Sequence, residues 1–269
     1  VKFIFQPAEE GAPPDEDGGA ELMVREGVLE SPAVDVIFGI HIHSQTDVGK
    51  VKYRSGSIMA AADSFKITIK GKPSHGAFPW LSADPIVTAA QIVMGLQTIV
   101  SRELELTEHA AVISIGSIIG GNRSNIIPAK VELIGTIRTL DNDMRSHIFE
   151  SVRRKSTLIA QSMNASVEVK LPNGFNYPVT YNQPELMAQM LPTLQATAGH
   201  NNVELTNAIM GSEDFSFFQQ KVPGLYLFVG GKSVDLPVAQ AAGHHTPGFI
   251  IDDSGLATGV KLLSNLTLD

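Results

Sequence analysis

Residues 64–70, Ser-Phe-Lys-Ile-Thr-Ile-Lys, alternate polar and apolar side chains, which predicts a β-strand with one buried face. A helix is predicted next, over Asp84–Glu103, because apolar residues recur there at helical spacing. The pattern continues with two strands, a long helix that begins at an acid-rich cap and a final strand, over Ala110–Ile119, Lys130–Thr139, Asp141–Met163 and Ser166–Leu171. The order β-α-β-β-α-β is that of a ferredoxin-like α+β sandwich.

The segments on either side predict an α/β layer instead. Ahead of residue 60 we expect a strand, a helix and two further strands, over residues 1–5, Gly18–Glu30, Val34–His43 and Val48–Ser57. After Pro178 we expect a helix, a strand and a last helix, over Pro184–Ala198, Gly224–Gly230 and Asp253–Leu266. The fold class is therefore α/β, with a domain of residues 1–59 and 173–269 interrupted by an α+β domain of residues 60–172. Because a strand is already under way at residue 1, we expect the α/β domain to be incomplete.

Composition excludes several classes of function. The 269 residues carry 28 acidic against 20 basic side chains, a net charge of −8, which argues against nucleic acid or an anionic membrane as the main partner. No apolar run approaches the roughly 20 residues that span a bilayer. The lack of cysteine excludes thiol catalysis, disulfides and thiolate zinc sites.

Adjacent carboxylates, Glu9 and Glu10, come directly after the first predicted strand. Open α/β sheets bind ligands at the carboxyl ends of their strands, and neighbouring side chains point apart. One carboxylate can then bind a metal while the other reaches a water molecule, as a metal-assisted hydrolase requires. The alternative is a solvated acidic loop, which Asp15, Glu16 and Asp17 nearby would extend.

Two histidine motifs lie in the same predicted domain. Strand alternation puts His41 and His43 on one face, and His244 and His245 precede Pro247, which fixes the backbone of their loop. Imidazoles are ordinary ligands of Zn²⁺ or Mn²⁺, although a lone histidine is more often structural. Together with the carboxylates they occupy three loop positions that could converge, and three protein ligands are usual in a catalytic zinc site.

Polar residues also stand out in the predicted inserted domain. His75 lies in the turn of residues 71–77, where the alternative is an ordinary surface turn. Residues 122–128 and Arg138 interrupt otherwise apolar strands, and Arg138 is equally compatible with a solvent-facing strand charge.

Taken together, the motifs resemble those of the M20 metallopeptidases, and most of all the amidohydrolase branch that contains hippurate, indole-acetyl-amino-acid and aminobenzoyl-glutamate hydrolases. The resemblance covers essentially the whole chain. It is carried, in order, by QPAEEG (6–11), GIHIHS (39–44), GKPSHGAFP (71–79) with ADPI (83–86), NIIPAKVELIGTIRT (125–139), GSEDFS (211–216) and HHTPGF (244–249).

The resemblance implies a metal-binding α/β domain with an inserted ferredoxin-like lid or dimerisation domain. It implies that Glu9 is the general base and that Glu10, His41 and His245 are metal ligands, whereas His244 does not align with a ligand. The implied cofactor is a divalent metal, Zn²⁺ or Mn²⁺, with one or two ions in the complete enzyme.

The resemblance also assigns roles in the inserted domain and around the metal. His75 resembles the lid histidine that reaches the partner subunit's site and stabilises the developing oxyanion. Asn125 and Arg138 resemble residues that contact the substrate or its carboxylate. Glu213 and Asp214 are implied to line the pocket behind the metal ligands.

Two departures from the family pattern bear on activity. Ser44 stands where the family usually has proline, which we expect to loosen that loop. The family carries further ligands upstream, in a segment with a Cys-Gly-His-Asp motif, and this chain begins after that point. With Glu10, His41 and His245 alone, we expect one weakly held metal and less than full activity.

The function implied is a metal-dependent amidohydrolase that cleaves the amide bond of small N-acyl amino acids, as a homodimer through its lid, in the cytoplasm, with neither nucleic acid nor membrane as partner. The alternative is a catalytically incompetent fragment or relative that dimerises and at most binds an acyl-amino acid. Phe78, Trp80 and Phe215 are candidates for the acyl pocket, but aromatic side chains at such positions more often pack in a core.

Overall fold

Helices and strands alternate along the chain, and the computed structural model describes residues 1–11, 13 and 16–269. The helices are α1 (Gly19–Arg25), α2 (Pro85–Arg102), α3 (Asn142–Ser162), α4 (Pro184–Ala198), α5 (Ser216–Gln219) and α6 (Leu256–Leu268). The strands are β1 (Ile37–Asp47), β2 (Val51–Tyr53), β3 (Gly56–Met59), β4 (Ala61–Lys70), β5 (Ser74–His75), β6 (Ala111–Gly120), β7 (Ile126–Ile127), β8 (Lys130–Thr139), β9 (Ser166–Lys170), β10 (Asn176–Tyr177), β11 (Thr180–Asn182), β12 (Val203–Leu205) and β13 (Gly224–Lys232). Asp15 of the expected acidic loop lies outside the described residues.

The chain forms two compact units. The first consists of Val1–Met59, Thr180–Ile209 and Glu213–Asp269, and the second of Ala60–Val179 with Met210–Ser212. The prediction of an α/β protein is confirmed by the mixture of sheets and helices. Among the helices of the described residues, none has the length and apolarity needed to cross a bilayer.

The second unit is built on an antiparallel sheet with the strand order β9-β4-β8-β6, and β10 also pairs with β4. Strands β4 and β8 pair along their whole length, from Ala61 opposite Thr139 to Lys70 opposite Lys130. Helices α2 and α3 cover one face and share a core with the sheet. This is the arrangement that the β-α-β-β-α-β pattern predicts.

Helix α2 shows how local sequence sets these elements. Asp84 caps its first turn, because the carboxylate accepts hydrogen bonds from the backbone N–H groups of Ile86 and Val87, and proline occupies the first helical position. Ile92, Leu96 and Ile99 share one helix face and are fully buried. The N-terminal cap and the apolar face both favour a helix here, and α2 lies one residue inside the predicted bounds at each end.

The first unit contains a sheet with the order β1-β13-β2-β12, in which β1 and β13 are parallel. Strand β13 is buried along its whole length, and α4 and α6 pack on the sheet through a leucine- and methionine-rich core. The unit therefore offers the carboxyl end of β1 as a place for ligands.

The strand predicted over residues 1–5 is wrong. These residues have no strand pairing, and the side chains of Val1, Phe3 and Phe5 are at least 80% exposed. A strand exists only where its backbone groups pair with another strand, and within the described residues none pairs with this segment. An apolar, β-branched composition alone does not supply that partner.

Candidate metal centre

Imidazoles gather at the carboxyl half of β1. His41 and His43 pair in register with Phe228 and Gly230 of β13, and both rings lie about 6 Å from the Phe228 ring, at 6.0 and 5.7 Å between centroids. The two side chains thus share a face, as alternation predicts. Nδ1 of His41 donates to the Ile42 carbonyl, which leaves Nε2 of His41 as the atom with a lone pair for a metal.

The ring of His244 belongs to the same group, although sequence reasoning set this residue aside. Its centroid lies 5.1 Å from that of His41 and 5.7 Å from that of His43. Burial lowers the pKa of His43 to about 4, and the charges of Lys52 and His244 act in the same direction. Burial and His41 also lower the pKa of His244. Burial therefore favours the neutral form of His43 and His244, which is the form in which imidazole binds metals.

Glu10 and His245 form a pair across the same site. Nε2 of His245 lies 3.7 Å from Oε1 of Glu10, and both side chains are 72% exposed. Ligand atoms about 2.0–2.2 Å from one tetrahedral cation stand roughly 3.4 Å apart, so small movements would let both bind one ion. Carboxylate and imidazole donors suit Zn²⁺ and Mn²⁺, and the residues present therefore fit a divalent metal.

The tightest group of metal-ligating side chains involves other carboxylates. Of the residues that the structure describes, one group of three has ligand atoms all within 4.8 Å of one another, namely Glu9, Glu213 and Asp214. Glu10, His41 and His245 are not gathered that closely. Their assignment as the ligand set therefore stays a prediction, as does that of Glu9 as the base.

Glu213 lies at the buried end of this carboxylate group. It is 3% exposed, and the Tyr226 hydroxyl donates to its Oε2 at 2.6 Å. Burial raises the pKa of Glu213 to about 8, against the lowering effect of the Tyr226 hydrogen bond, and the charge of Glu9 raises it further. Burial and the charge of Glu10 likewise raise the pKa of Glu9. Glu213 is thus protonated near neutral pH and shares a hydrogen bond with Glu9.

Asp214 connects the carboxylate group of Glu9, Glu213 and Asp214 to residues near the start of the chain by hydrogen bonds. Its carboxylate accepts hydrogen bonds from the Gln6 amide at 2.6 and 2.7 Å and from the Ala20 backbone N–H at 2.7 Å. Gly19 has a φ of +69°, and a Cβ there would lie 2.4 Å from Oδ2 of Asp214. The GSEDF motif therefore holds the segment before Glu9 in place. The involvement of Tyr226 had no signal in the sequence, because it lies within an apolar strand.

Ser44, which stands where proline was expected, makes two hydrogen bonds to the loop that carries His244. It is 2% exposed, its backbone N–H donates to Nε2 of His244 at 3.2 Å, and its hydroxyl donates to the Ala242 carbonyl at 2.8 Å. A proline could make neither bond, since it has no N–H and no hydroxyl.

The other predicted site residues lie in the second unit. Strands β5 and β7 pair, and the N–H of Gly76 donates to the Asn125 carbonyl at 2.8 Å, so the turn of His75 lies against Asn125. His75 is exposed, with Nδ1 accepting from the Ala77 N–H.

Arg138 is partly buried in the same unit. Its guanidinium donates to the Ile137 carbonyl at 3.0 Å and lies 5.7 Å from the centre of the Phe175 ring. The predicted site residues of this unit therefore lie at two positions. His75 and Asn125 lie next to each other at the turn of residues 71–77, and Arg138 lies beside Phe175.

The aromatic candidates for an acyl pocket divide between surface and core. Phe78 and Trp80 are exposed, with their ring centroids 5.7 Å apart. Phe215 is buried and packs against Tyr226, with 5.0 Å between ring centroids. Phe215 is therefore a core residue, while Phe78 and Trp80 remain candidates.

Carboxylate and imidazole side chains are the donors with which metal-dependent hydrolases hold their ions, and the first unit carries both. The chain belongs to the Peptidase family M20/M25/M40, whose family model matches residues 1–269, and the predicted family is confirmed. It is 37% identical over 259 residues to thermostable carboxypeptidase 2 of Saccharolobus solfataricus, covering 96% of this chain and 63% of that protein. It is 34% identical over 268 residues to N-acetylcysteine deacetylase of Bacillus subtilis, covering 100% and 66% respectively.

Solved structures agree with this assignment. The YxeP protein of Bacillus subtilis, described as a dinuclear metal binding peptidase of the M20 family, superposes with a TM-score of 0.75 at 30% identity, covering 99% of this chain and 64% of that one. The chain thus spans about two thirds or less of the length of these proteins.

Proposed function

We propose that the chain belongs to a metal-dependent amidohydrolase that cleaves the amide bond of N-acyl amino acids. The observation that carries this is the approach of His245 to Glu10, at 3.7 Å, next to His244, whose ring centroid lies 5.1 Å from that of His41. The similarity to N-acetylcysteine deacetylase, whose name describes an N-acyl amino acid as substrate, supports the substrate class.

Glu10, His41 and His245 would hold the ion, with Nε2 of His41 free because its Nδ1 is engaged. A bound Zn²⁺ or Mn²⁺ polarises the scissile carbonyl and brings the pKa of water towards ~7. The exposure of Glu10 and His245 keeps this place open to substrate.

Glu9 acts as the general base. It takes a proton from the water whose oxygen attacks the carbonyl carbon, and it returns that proton to the amine when the C–N bond breaks, so the products are a carboxylic acid and an amine. Burial and the charge of Glu10 raise the pKa of Glu9, which moves the base towards the working pH.

Residues of the second unit complete the proposed site. The exposed His75, contributed by a second copy of the chain, donates to the developing oxyanion, and loss of one such donor costs on the order of 10² to 10³ in rate. Asn125 and Arg138 contact the substrate, with the Arg138 guanidinium as the partner of its carboxylate.

The second unit also supports the homodimer that this proposal requires. Strand β6 is an outer strand of its sheet among the described residues, and its Val112, Ile118 and Ile119 are exposed. An apolar edge of this kind can pair with a second copy about a two-fold axis. Sedimentation velocity tests this directly, because the proposal requires twice the mass of 28.8 kDa.

A second candidate, binding of an acyl-amino acid without cleavage, is favoured by one observation. Among the described residues, Glu9, Glu213 and Asp214 have ligand atoms that all lie within 4.8 Å of one another, so the proposed base is engaged with other carboxyl groups. A base held in this way binds a proton without meeting the attacking water.

Hydrolysis of N-acetyl and N-benzoyl amino acids, with Zn²⁺ or Mn²⁺ supplied, separates the candidates. We expect measurable turnover by the wild-type chain, none by Glu9→Gln, and nearly equal metal content in both. Glu16→Gln, an exposed carboxylate of the same segment, is the matched control and should behave as wild type. Metal binding without turnover in the wild type would favour the binding candidate, and loss of metal from Glu9→Gln would contradict the assigned roles.

A further inference from the structure

Three hydrogen bonds join the carboxyl half of β1 to the loop that carries His245. The backbone N–H of Ser44 donates to Nε2 of His244 at 3.2 Å, and its hydroxyl donates to the Ala242 carbonyl at 2.8 Å. The side-chain amide of Gln45 donates to the Ala241 carbonyl at 3.3 Å. Ser44, a buried residue of β1, thus makes two of the hydrogen bonds to the loop, and Gln45 makes the third.

The first of these bonds defines the state of His244. A backbone N–H can only donate, so Nε2 of His244 must present its lone pair, and the proton of the neutral ring lies on Nδ1. With Nε2 engaged, His244 serves as an acceptor for Ser44. The ring also packs against Phe249, with 5.0 Å between centroids, on the far side of the same loop.

The next residue, His245, has a φ of +58°, in the left-handed region. A non-glycine residue holds such a conformation only where its surroundings enforce it. The bonds to residues 241, 242 and 244 supply this constraint on the amino-terminal side. The hydrogen bond from the Thr246 hydroxyl to the Gly243 carbonyl closes the turn around it.

We propose that Ser44 is a positioning residue of the metal centre, acting through His244 and Ala242 to hold His245 beside Glu10. The inference rests on the proposed function, because it gives the loop its purpose as the carrier of a metal ligand. Ser44 itself touches neither metal nor substrate.

Zn²⁺ titration of the chain by calorimetry, with hydrogen exchange of residues 241–247, tests the proposal. Ser44→Ala removes the hydroxyl bond and should weaken Zn²⁺ binding about fivefold. Ser44→Pro removes both bonds and should weaken it tenfold or more. Ser44→Thr keeps both donors and should retain the wild-type affinity.

Two further variants guard against a general loss of folding. Ser162→Ala removes a serine-to-carbonyl bond of 2.7 Å at the end of α3 and should leave Zn²⁺ binding unchanged. His244→Gln offers another acceptor to the Ser44 N–H and should bind Zn²⁺ more tightly than His244→Leu. The imidazole ¹⁵N shifts of the wild type should show the proton of His244 on Nδ1.

Each outcome decides one point. Faster exchange of residues 241–247 together with weaker Zn²⁺ binding in Ser44→Ala and Ser44→Pro supports the proposal. Wild-type affinity and wild-type exchange in both variants, or a proton on Nε2 of His244, would overturn it and leave the proposed function intact. A wild-type chain that binds no Zn²⁺ refutes the metal centre itself, and the purpose assigned to Ser44 with it.

Discussion

The buried carboxyl of Glu213 should make the folded protein less stable as the pH rises. Burial raises its pKa from the ordinary 4.5 to about 8. Between these values the folded state keeps the proton and the unfolded state loses it, so this contribution to stability is fully present below pH 4.5 and is lost as the pH rises to 8. At about 1.4 kcal/mol per pH unit, the free energy of unfolding should fall by about 2–3 kcal/mol between pH 5.5 and 7.5 through this group.

Glu213→Gln isolates that effect. The glutamine keeps an acceptor for the Tyr226 hydroxyl and carries no charge at any pH. The free energy of unfolding of the variant should therefore not show the fall of about 2–3 kcal/mol between pH 5.5 and 7.5. Urea unfolding followed by circular dichroism at pH 5.5, 6.5 and 7.5, with a chelator present, gives the free energies. Glu150→Gln, an exposed carboxylate on α3, is the control and should retain the wild-type decline. An identical pH dependence in Glu213→Gln and wild type would refute the reasoning.

Two other substitutions test side-chain packing within each unit, and urea unfolding measures the effect of both. Gly39→Ala places a Cβ 2.7 Å from the Phe215 ring and should lower the free energy of unfolding by about 1–3 kcal/mol. Gly116→Ala, with no atom within 4 Å of the added Cβ, is the control and should lower it much less. Equal losses in the two variants would contradict the crowding at Gly39. Arg145→Met leaves the fully buried Asp63 without its guanidinium partner and should cost about 3–5 kcal/mol, and a loss below 1 kcal/mol would show that the pair is not desolvated.

The second unit was predictable from sequence because its elements are specified locally. Strand β8 spans the residues that alternation predicts, Lys130–Thr139, and α2 lies one residue inside the predicted bounds at each end. Caps at Asp84 and Asp141 mark the starts of α2 and α3. Each of these signals is read within a few residues.

The errors lie in the first unit, where pairing over long distances decides the structure. The run Val48–Ser57 was taken as one strand, but it divides into β2 and β3, which belong to different sheets. Composition predicts that such residues favour strands, but not which strand they will join.

The candidate site was predictable in its parts but not in its connections. The motifs indicated Glu10 and His245 as members of one site, and the structure brings Nε2 of His245 to 3.7 Å from Oε1 of Glu10, while their role as metal ligands stays a prediction. The hydrogen bonds of Ser44 had no signal in the sequence, because they join a backbone N–H and a hydroxyl to a loop about 200 residues away. The distance along the sequence hides such a bond from any local pattern.

Backbone strain and a buried carboxyl group occur together in the first unit. Among the described residues, positive φ values outside glycine occur at Ala8, Asn164 and His245, and asparagine tolerates this region in an ordinary turn. The other two adjoin or belong to the candidate site, Ala8 directly before Glu9 and His245 opposite Glu10. A fold that follows its local rules elsewhere departs from them where side chains must be held for chemistry. Two features therefore lower the free energy of unfolding, namely the backbone strain at residues 8 and 245 and the burial of the Glu213 carboxyl. Burial of the apolar core of β13, α4 and α6 offsets this loss.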